Sequence, residues 1–347
     1  MGQRKPMALA PAREDLSGAG HGPLSRPEAK LSPAAPEHAL STARTFADLG
    51  HGATAGRLAN DKLFLEHGPV NLVIAIDGPG SAKQQAEALL LEAFPHWLGG
   101  LVQVLPRLRT PAPVRLQQPA DPIAAAMAAA VMPYAASGVS PMAAVAGAIA
   151  DAAIKVVAKV PGLDRAIVNN GGDIALHLCR NASCKIGIVA DAASGELGAT
   201  VTVDTSTPVR GVATSGWRGR SHSLGIADAV TVLAHTAAAA DAAATTIASA
   251  TNASHDAIER APANTLDDDS DLGARLVTLN VGALDDTTCR AAIANGARVA
   301  HNAFAQGHIY AAALCVQGHW RFIGAALNET ASLSSCAADT DQGLERQ

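Results

Sequence analysis

Aromatic residues are scarce in this chain of 347 residues, since Phe, Trp and Tyr together make up only 3% of it. The apolar content of 48% therefore comes mainly from Ala, Val, Leu and Ile, whose small side chains let helices and strands pack closely. Basic residues are not in excess, because the formal net charge is −5. The lack of a basic surface argues against nucleic-acid binding.

Long apolar runs and a cysteine framework are also missing. No uninterrupted apolar run reaches the roughly 18–20 residues of a membrane span. The N-terminal region holds scattered basic residues but no apolar segment typical of a secretory signal. The five cysteines are an odd number and match no common zinc spacing. We therefore expect a cytoplasmic protein with reduced thiols that binds neither membrane nor nucleic acid.

The chain is predicted to fold as one α+β domain over residues 51–330, between disordered tails at 1–50 and 331–347. The N-terminal tail is rich in Pro, Ala, Gly and charge and has no sustained period. From Leu63 onward, strand and helix patterns mix without regular alternation. This order predicts mixed or antiparallel sheets packed against helices, and not a doubly wound fold.

A helix is predicted to begin at Pro141, because proline is favoured in the first turn. It carries Ala143, Gly147 and Asp151 on one face at four-residue steps. Glycine costs about 1 kcal/mol relative to alanine inside a helix. Its presence therefore predicts that a strand or a ligand comes close to the backbone at Gly147.

Asp241 and Thr245 lie four residues apart on a helix predicted over 236–249, so their side chains share a face. A carboxylate and a hydroxyl suit a hard cation such as Mg²⁺, which prefers oxygen ligands. The alternative is a threonine hydrogen-bonded to its own helix beside a solvated aspartate. Spacing alone favours this alternative.

The segment Asn169-Asn-Gly-Gly-Asp173 separates two β-branched runs and predicts a hairpin turn. A functional interpretation is that Gly171 and Gly172 let a ligand approach the backbone while Asn170 and Asp173 supply polar contacts. The turn alone is the better supported of the two.

The segment that follows a predicted strand at 211–214 is crowded with hydrogen-bond donors. Hydroxyls, guanidinium groups and amides that can hold phosphate come from Thr214, Ser215, Gly216, Arg218, Arg220, Ser221, His222 and Ser223. The Gly-Lys-Ser/Thr ending of a Walker loop is missing. A polar surface loop is an equally good interpretation.

Two other features are weaker candidates. The acidic turn at 267–271 lacks the spacing of a calcium loop and is better explained as solvated. His67, which precedes Gly68-Pro69, is placed where it can touch a ligand, but a lone histidine at a strand entrance is more often structural.

In their order along the chain, these motifs resemble the ApbE-like superfamily, whose best-known members are flavin transferases. The resemblance rests on Asn170-Gly-Gly-Asp-Ile, Thr214-Ser-Gly, the histidine-containing loop and Ala240-Asp-Ala-Ala-Ala-Thr. The UPF zero-two-eight-zero branch is more similar still and covers roughly residues 52–325. It shares His67-Gly-Pro, the segment 141–151, Gly219-Arg-Ser, Ala227-Asp-Ala and Asp269-Ser-Asp-Leu-Gly.

The resemblance implies an FAD site beside Mg²⁺, from which the FMN half is transferred to a protein Thr or Ser. The metal would be held by Asp241 and Thr245, with a third contact from the helix at 143–151. Ser215 and His222 would contact phosphate or act in catalysis. The small-molecule anionic ligand would be bound by Asn170, Gly171, Gly172, Asp173, Thr214, Gly216, Arg220 and Gly147.

The chain departs from the transferases at two positions. Their Lys before the helix glycine is Ala146 here, and their His-Ile-Ile-Asp-Pro segment is replaced by Ser221-His-Ser-Leu-Gly, which leaves His222. Two alternatives therefore stay open. One is an enzyme of sulfur assimilation and homocysteine formation on the same fold, and the other is a non-catalytic ligand-binding module. The sequence leaves open whether the chain forms a homo-oligomer.

Overall fold

The computed structural model describes residues 46–58, 60–115, 120–191 and 196–324. Residues 1–45 and 331–347 of the predicted tails lie outside these ranges. The first described segment is a strand over residues 46–50, which the sequence assigned to the tail. That assignment was wrong because a strand of five residues is too short to show a period, and its pairing with the next strand defines it.

Fourteen strands are present in the described residues. They are β1 (Phe46–Gly50), β2 (Ala53–Arg57), β3 (Leu63–His67), β4 (Val70–Asp77), β5 (Arg165–Asn170), β6 (Asp173–Leu178), β7 (Ser183–Asp191), β8 (Glu196–Asp204), β9 (Gly211–Ser215), β10 (Ala229–Ala234), β11 (Ile258–Pro262), β12 (Leu276–Val281), β13 (Ala311–Val316) and β14 (His319–Ile323).

The same residues form six α-helices and four short 3₁₀ turns. The helices are α1 (Gly80–Ala93), α2 (Trp97–Leu108), α3 (Pro122–Val131), α4 (Val145–Val157), α5 (Ala237–Ala250) and α6 (Asp286–Ala305). A 3₁₀ turn over Phe94–His96 joins α1 to α2, and another over Pro141–Ala144 precedes α4. The predicted helix therefore begins at Pro141 as a 3₁₀ turn and becomes α-helical at Val145.

One ten-stranded sheet organises the molecule, in the order β1-β2-β3-β4-β5-β6-β9-β10-β13-β14. Every neighbouring pair in it is antiparallel. The helices pack on one face, where the larger apolar core lies, and the β7–β8 hairpin covers a smaller core on the other face. The predicted α+β class with antiparallel sheets packed against helices is confirmed.

The hairpin predicted at residues 169–173 is also confirmed. Asn170 pairs with Asp173 across the turn between β5 and β6. Gly171 and Gly172 have φ angles of 67° and 114°, a region that glycine adopts without steric cost. Asn170 lies two residues after Val168, and Asp173 lies two residues before Ala175. Val168 and Ala175 belong to the core on the helix side, and residues two apart on a strand point to the same face, so the side chains of Asn170 and Asp173 lie on the helix face of the sheet.

One helical stretch, Gly80–Leu108, is long and apolar enough to cross a membrane, by length and composition alone. Charged residues such as Lys83 and Glu87 interrupt it, so a count of uninterrupted apolar residues does not detect it. One such helix is weak evidence for a span, because core helices pass the same test.

Candidate functional site

The first turns of α4 and α5 are in direct contact, and Gly147 lies at this contact. A Cβ atom on Gly147 would overlap the backbone of Ala237. The element close to Gly147 is therefore the start of a helix and not the predicted strand, and a ligand contact at Gly147 stays a prediction. Asp151 completes the contact, because its carboxylate accepts hydrogen bonds from the backbone N–H groups of Ala237 and Ala238, both at 2.9 Å.

Asp241 lies one turn into α5 and points back to the start of α4. Its Oδ2 accepts a hydrogen bond from Gly147 N at 2.9 Å. Burial and, to a smaller extent, the charge of Asp151 raise the pKa of Asp241 to about 7, although hydrogen bonds from the backbone of Gly147 and Ala146 act in the opposite direction. A carboxylate offers about four lone-pair sites, so two backbone donors leave the remaining sites for a further ligand.

Asp173 lies close enough to Asp241 for their charges to interact. Burial raises the pKa of Asp173 well above its usual value, and the negative charge of Asp241 raises it further. Arg220 has the opposite effect and lowers this pKa. Its guanidinium lies directly over Gly171, where a Cβ atom would overlap it. The β5–β6 turn thus places a carboxylate beside a second carboxylate and below an arginine.

Asn170 contributes an unpartnered acceptor. Its Nδ2 donates to Ala146 O at 3.0 Å, which ties the end of β5 to the start of α4. Only 2% of the residue is exposed, and its buried Oδ1 has no hydrogen-bond partner among the residues that the structure describes. A buried amide oxygen without a donor is costly, and a cation or a ligand N–H or O–H group would satisfy it.

We use the name carboxylate cleft for the region lined by Asn170, Asp173, Arg220, Asp241 and Thr245. Thr245 follows Asp241 by one helical turn and is half-buried. In the described ranges its hydroxyl makes no hydrogen bond, in contrast to the next residue, Thr246, which donates to Ala242 O at 2.7 Å. Thr245 is thus not bonded to its own helix, and Asp241 is bonded to another helix.

The donor set of the carboxylate cleft fits a hard cation. It consists of carboxylate, amide and hydroxyl oxygens, which Mg²⁺ prefers, and the two carboxylates supply the negative charge. Across the described ranges, no group of three or more His, Cys, Asp or Glu residues is arranged to hold a metal. A cation in this cleft would therefore depend on Asp241 and Asp173 together with neutral oxygens such as Asn170 Oδ1 and Thr245 Oγ1.

Ser215 and Thr214 lie on opposite faces of β9. Thr214 Oγ1 is 2.8 Å from Thr231 Oγ1 on β10, and the next residues along this face, Val212 and Leu233, belong to the core under the β7–β8 hairpin. Ser215 points to the same face as Ala213, two residues before it, which belongs to the core on the helix side. The structure therefore brings Ser215 to the face of the carboxylate cleft but turns Thr214 away from it.

The loop between β9 and β10 is organised by Asp228, to which sequence reasoning assigned no role. Its buried carboxylate accepts hydrogen bonds from Trp217 Nε1 at 3.2 Å, Arg218 Nε at 3.0 Å and Gln317 N at 2.5 Å. Gly216 is required here because a Cβ atom would overlap Asp228 O. Gly216 thus shapes the loop, and Arg218 is held by Asp228 and stacks on Trp217. The motif Ala227-Asp-Ala was the available sequence signal.

His222 is exposed in the same loop, and within the described residues its side chain makes no hydrogen bond or ion pair. The acidic turn at 267–271 is partly held by other elements. Asp269 pairs with Arg109 at 3.2 Å, and Asp271 accepts a hydrogen bond from Ser140, which precedes α4. This turn therefore braces the start of α4 and is not solvated throughout.

The four cysteines that the structure describes lie away from the carboxylate cleft. Cys184, Cys289 and Cys315 are buried, and Cys179 follows the far end of β6. Six residues separate Asp173 from Cys179 along this chain segment, or about 20 Å at about 3.3 Å per residue. Cys336 lies outside the described residues. No cysteine of the described ranges is placed for thiol chemistry in the cleft.

The family model described as AbpE bacteria matches residues 55–322, which is most of the chain. The chain belongs to this family. The motifs that suggested the ApbE-like superfamily, including the β5–β6 turn and the first turns of α4 and α5, all lie within the matched residues. The resemblance predicted from the sequence is confirmed.

The curated relatives that the chain matches belong to the UPF0280 branch of the family. The chain is 42% identical over 142 residues to the UPF0280 protein of Methanopyrus kandleri, which covers 40% of this chain and 54% of that protein. It is 34% identical over 190 residues to the UPF0280 protein of Methanocaldococcus jannaschii, which covers 52% of this chain and 71% of that protein. The chain spans about half the length of the M. kandleri relative.

Two solved structures are similar to this chain, with low TM-scores. The apo form of the flavinyl transferase ApbE of Pseudomonas stutzeri has a TM-score of 0.37 and 13% identity, over 83% of this chain and 97% of that one. The flavin transferase ApbE of Vibrio cholerae has a TM-score of 0.32 and 11% identity, over 80% and 96% of the two chains. The fold class of this chain is therefore taken from its own strand order.

Proposed function

We propose that the chain binds an anionic ligand of flavin or nucleotide type together with Mg²⁺ in the carboxylate cleft. The observation that supports this most directly is the approach of Asp173 to Asp241, whose negative charge raises the pKa of Asp173. Two neighbouring half-buried carboxylates are stabilised together by a proton or by a cation. The unpartnered Oδ1 of Asn170 beside them favours a cation over a proton as the normal occupant.

The ligand is proposed to be anionic because the rim of the cleft is cationic. Arg220 lies over Gly171, where a phosphate group can accept hydrogen bonds from its guanidinium. The first turns of α4 and α5 meet below it, and the positive ends of both helix dipoles favour negative charge. A dinucleotide whose pyrophosphate is neutralised by Mg²⁺ meets these requirements.

The proposed reaction, by family resemblance, is transfer of FMN from FAD to a protein hydroxyl. The hydroxyl oxygen bonds to the FMN phosphorus, the bond to the bridging oxygen breaks and AMP leaves with that oxygen. Bound Mg²⁺ would offset the charge that develops on the pyrophosphate. Asp241, Thr245 and Asn170 would hold the ion, and Arg220 would orient the phosphates. His222, in the exposed loop, is the candidate for accepting the proton of the hydroxyl, and Ser215 for contacting phosphate.

Equilibrium binding of FAD at about pH 8, with Mg²⁺ or with EDTA, tests the proposal. We expect FAD binding that depends on Mg²⁺ and is lost in Asp241→Asn, because the amide cannot supply a negative ligand. Asp268→Asn, in the exposed acidic turn, is the matched control and should bind as wild type does. FAD binding that survives both EDTA and Asp241→Asn would show that the site is elsewhere.

Turnover is measured separately from binding. Release of AMP on addition of an acceptor protein with accessible Thr or Ser residues would support the transferase reaction. Stoichiometric retention of intact FAD without AMP would instead identify a non-catalytic binding module. Arg220→Gln should weaken FAD binding about tenfold or more, since a hydrogen bond to a charged group contributes about 1.5–3 kcal/mol.

A further inference from the structure

Two histidines meet at the end of the sheet that carries β1. His51 lies in the turn between β1 and β2, and His96 ends the 3₁₀ turn between α1 and α2. Their ring centres are 5.2 Å apart and their ring planes are inclined by 59°. Both side chains are exposed, and in the described part of the chain neither ring forms a hydrogen bond.

The backbone at His51 is held in an unusual conformation. Its φ angle is 55°, and the flanking Gly50 and Gly52 have φ angles of 82° and 81°. A left-handed conformation is uncommon for a residue with a side chain, although histidine tolerates it better than most. Three successive residues in this region produce a tight turn that directs the His51 ring toward α2. Such strain often accompanies a functional site.

A third imidazole lies next to this pair. His67, at the end of β3, packs its ring edge-on against Phe94 at 6.0 Å, and its Nε2 is 3.9 Å from the position of a Cβ on Gly52. Its Nδ1 is buried and has no hydrogen-bond partner in the described ranges. The three rings do not converge as one ligand set, so the described residues supply two protein ligands at most in this conformation.

We infer that His51 and His96 bind a borderline divalent transition-metal ion such as Zn²⁺ or Cu²⁺, with water in the remaining positions. Imidazole nitrogen is a preferred ligand of these ions. With Zn–N bonds of about 2.0 Å and tetrahedral angles, two rings that share one ion have centres about 5 Å apart. A metal ion bound to an imidazole nitrogen lies in the plane of that ring. One ion can lie in both ring planes here because the planes are inclined and intersect, whereas the planes of parallel stacked rings do not.

This site is distinct from the carboxylate cleft in place and in chemistry. Four strands separate the β1–β2 turn from the β5–β6 turn, or about 19 Å at about 4.8 Å per strand. The cleft offers oxygen ligands for a hard cation, whereas His51 and His96 offer nitrogen. An ion here would clamp the β1–β2 turn to the junction of α1 and α2, and it would stabilise the folded state by binding to it.

The test is titration of the full, tag-free chain with Zn²⁺ and with Cu²⁺ at a fixed pH of about 7.5, since metal binding depends on pH. Saturating Mg²⁺ keeps oxygen sites occupied. We expect a Zn²⁺-dependent rise in Tm, and a Cu²⁺ electron paramagnetic resonance spectrum with two equatorial nitrogens. His51→Asn keeps the left-handed turn, and both it and His96→Ala should lower the affinity about tenfold or more.

His235→Ala is the matched control, because His235 is an exposed histidine elsewhere on the surface. It should bind both ions as wild type does. Circular dichroism of each variant separates loss of binding from loss of folding. Unchanged Zn²⁺ and Cu²⁺ affinity in folded His51→Asn and His96→Ala would overturn the inference, as would an equal loss in His235→Ala.

Discussion

Asp151 and Asp241 cap each other's helices. The carboxylate of Asp151 on α4 accepts the N–H groups of Ala237 and Ala238 at the start of α5, and that of Asp241 on α5 accepts Gly147 N at the start of α4. Helical side chains lean toward the N-terminus, so Asp241, about one turn into α5, and Asp151, nearly two turns into α4, each reach the first turn of the other helix. This exchange satisfies donors that helix starts leave unpaired, and it fixes Asp241 in the cleft.

Removal of the Asp151 carboxylate should destabilise the protein. In Asp151→Ala, two buried N–H groups lose their acceptor, and each unsatisfied group costs about 1–3 kcal/mol. We expect a clear fall in Tm by calorimetry, with a smaller fall in Asp151→Asn, which keeps one acceptor oxygen. Asp268→Ala, on the exposed turn, is the control and should change Tm little. A Tm for Asp151→Ala equal to that of this control would contradict the capping role.

Gly147 and Gly99 should respond oppositely to alanine. A Cβ on Gly147 overlaps the backbone of Ala237, whereas nothing lies within 4 Å of a Cβ on Gly99 in α2. Gly147→Ala should therefore cost at least about 2 kcal/mol, since α4 and α5 must move apart. Gly99→Ala should stabilise the protein by about 0.5–1 kcal/mol through helix propensity. Chemical denaturation of the two variants measures both, and a neutral Gly147→Ala would refute the close contact.

Without Mg²⁺, stability should fall as the pH rises. The pKa of Asp241 is raised from 3.8 to about 7 in the folded state, and that of Asp173 is raised in the same direction. A raised carboxyl pKa favours folding fully below about pH 4, and this contribution is lost as the pH rises through about 7. After allowance for solvent screening, we expect a loss of at least about 1 kcal/mol between pH 5 and 8.

The measurement is Tm against pH in EDTA for wild type and Asp241→Asn. The variant cannot ionise at this position, so its profile should be flatter by about 2–4 °C over the same range. Mg²⁺ at pH 8 should raise the Tm of wild type and leave that of Asp241→Asn unchanged. Parallel profiles for the two proteins would mean that Asp241 does not titrate in this range.

Local patterns predicted most of the elements around the cleft. The Asn-Gly-Gly-Asp turn, the β10 run and the helix with Asp241 and Thr245 were all readable, because period and turn chemistry are local properties. The five-residue strands β1 and β2 were missed because their pairing is defined by partners and not by their own composition. The α+β fold class was still predictable, because helix and strand patterns do not alternate regularly along the chain.

The roles of individual site residues were less predictable, because they depend on contacts between distant segments. Gly147 signalled a close approach, but only the fold shows that the partner is Ala237, ninety residues away. Asp228 and Asp151 satisfy backbone and side-chain donors from other elements, which spacing cannot reveal. Thr214 was assigned to the ligand with Ser215, yet neighbours on a strand point to opposite faces.

Alkylation of the accessible cysteine should leave ligand binding intact. Cys179 is the described cysteine that is not buried, and it lies beyond the far end of β6 from Asp173, with its Sγ 3.1 Å from His177 Nε2. Burial raises the pKa values of Cys184 and Cys289, which makes these thiols poor nucleophiles. Iodoacetamide under native conditions should therefore modify Cys179 before Cys184, Cys289 and Cys315, as peptide mass spectrometry would show. FAD binding with Mg²⁺ should be unchanged, and Cys179→Ser should behave as wild type does. Loss of binding or turnover in the alkylated protein, with Cys179→Ser equally impaired, would instead favour a thiol-dependent enzyme of sulfur assimilation on this fold.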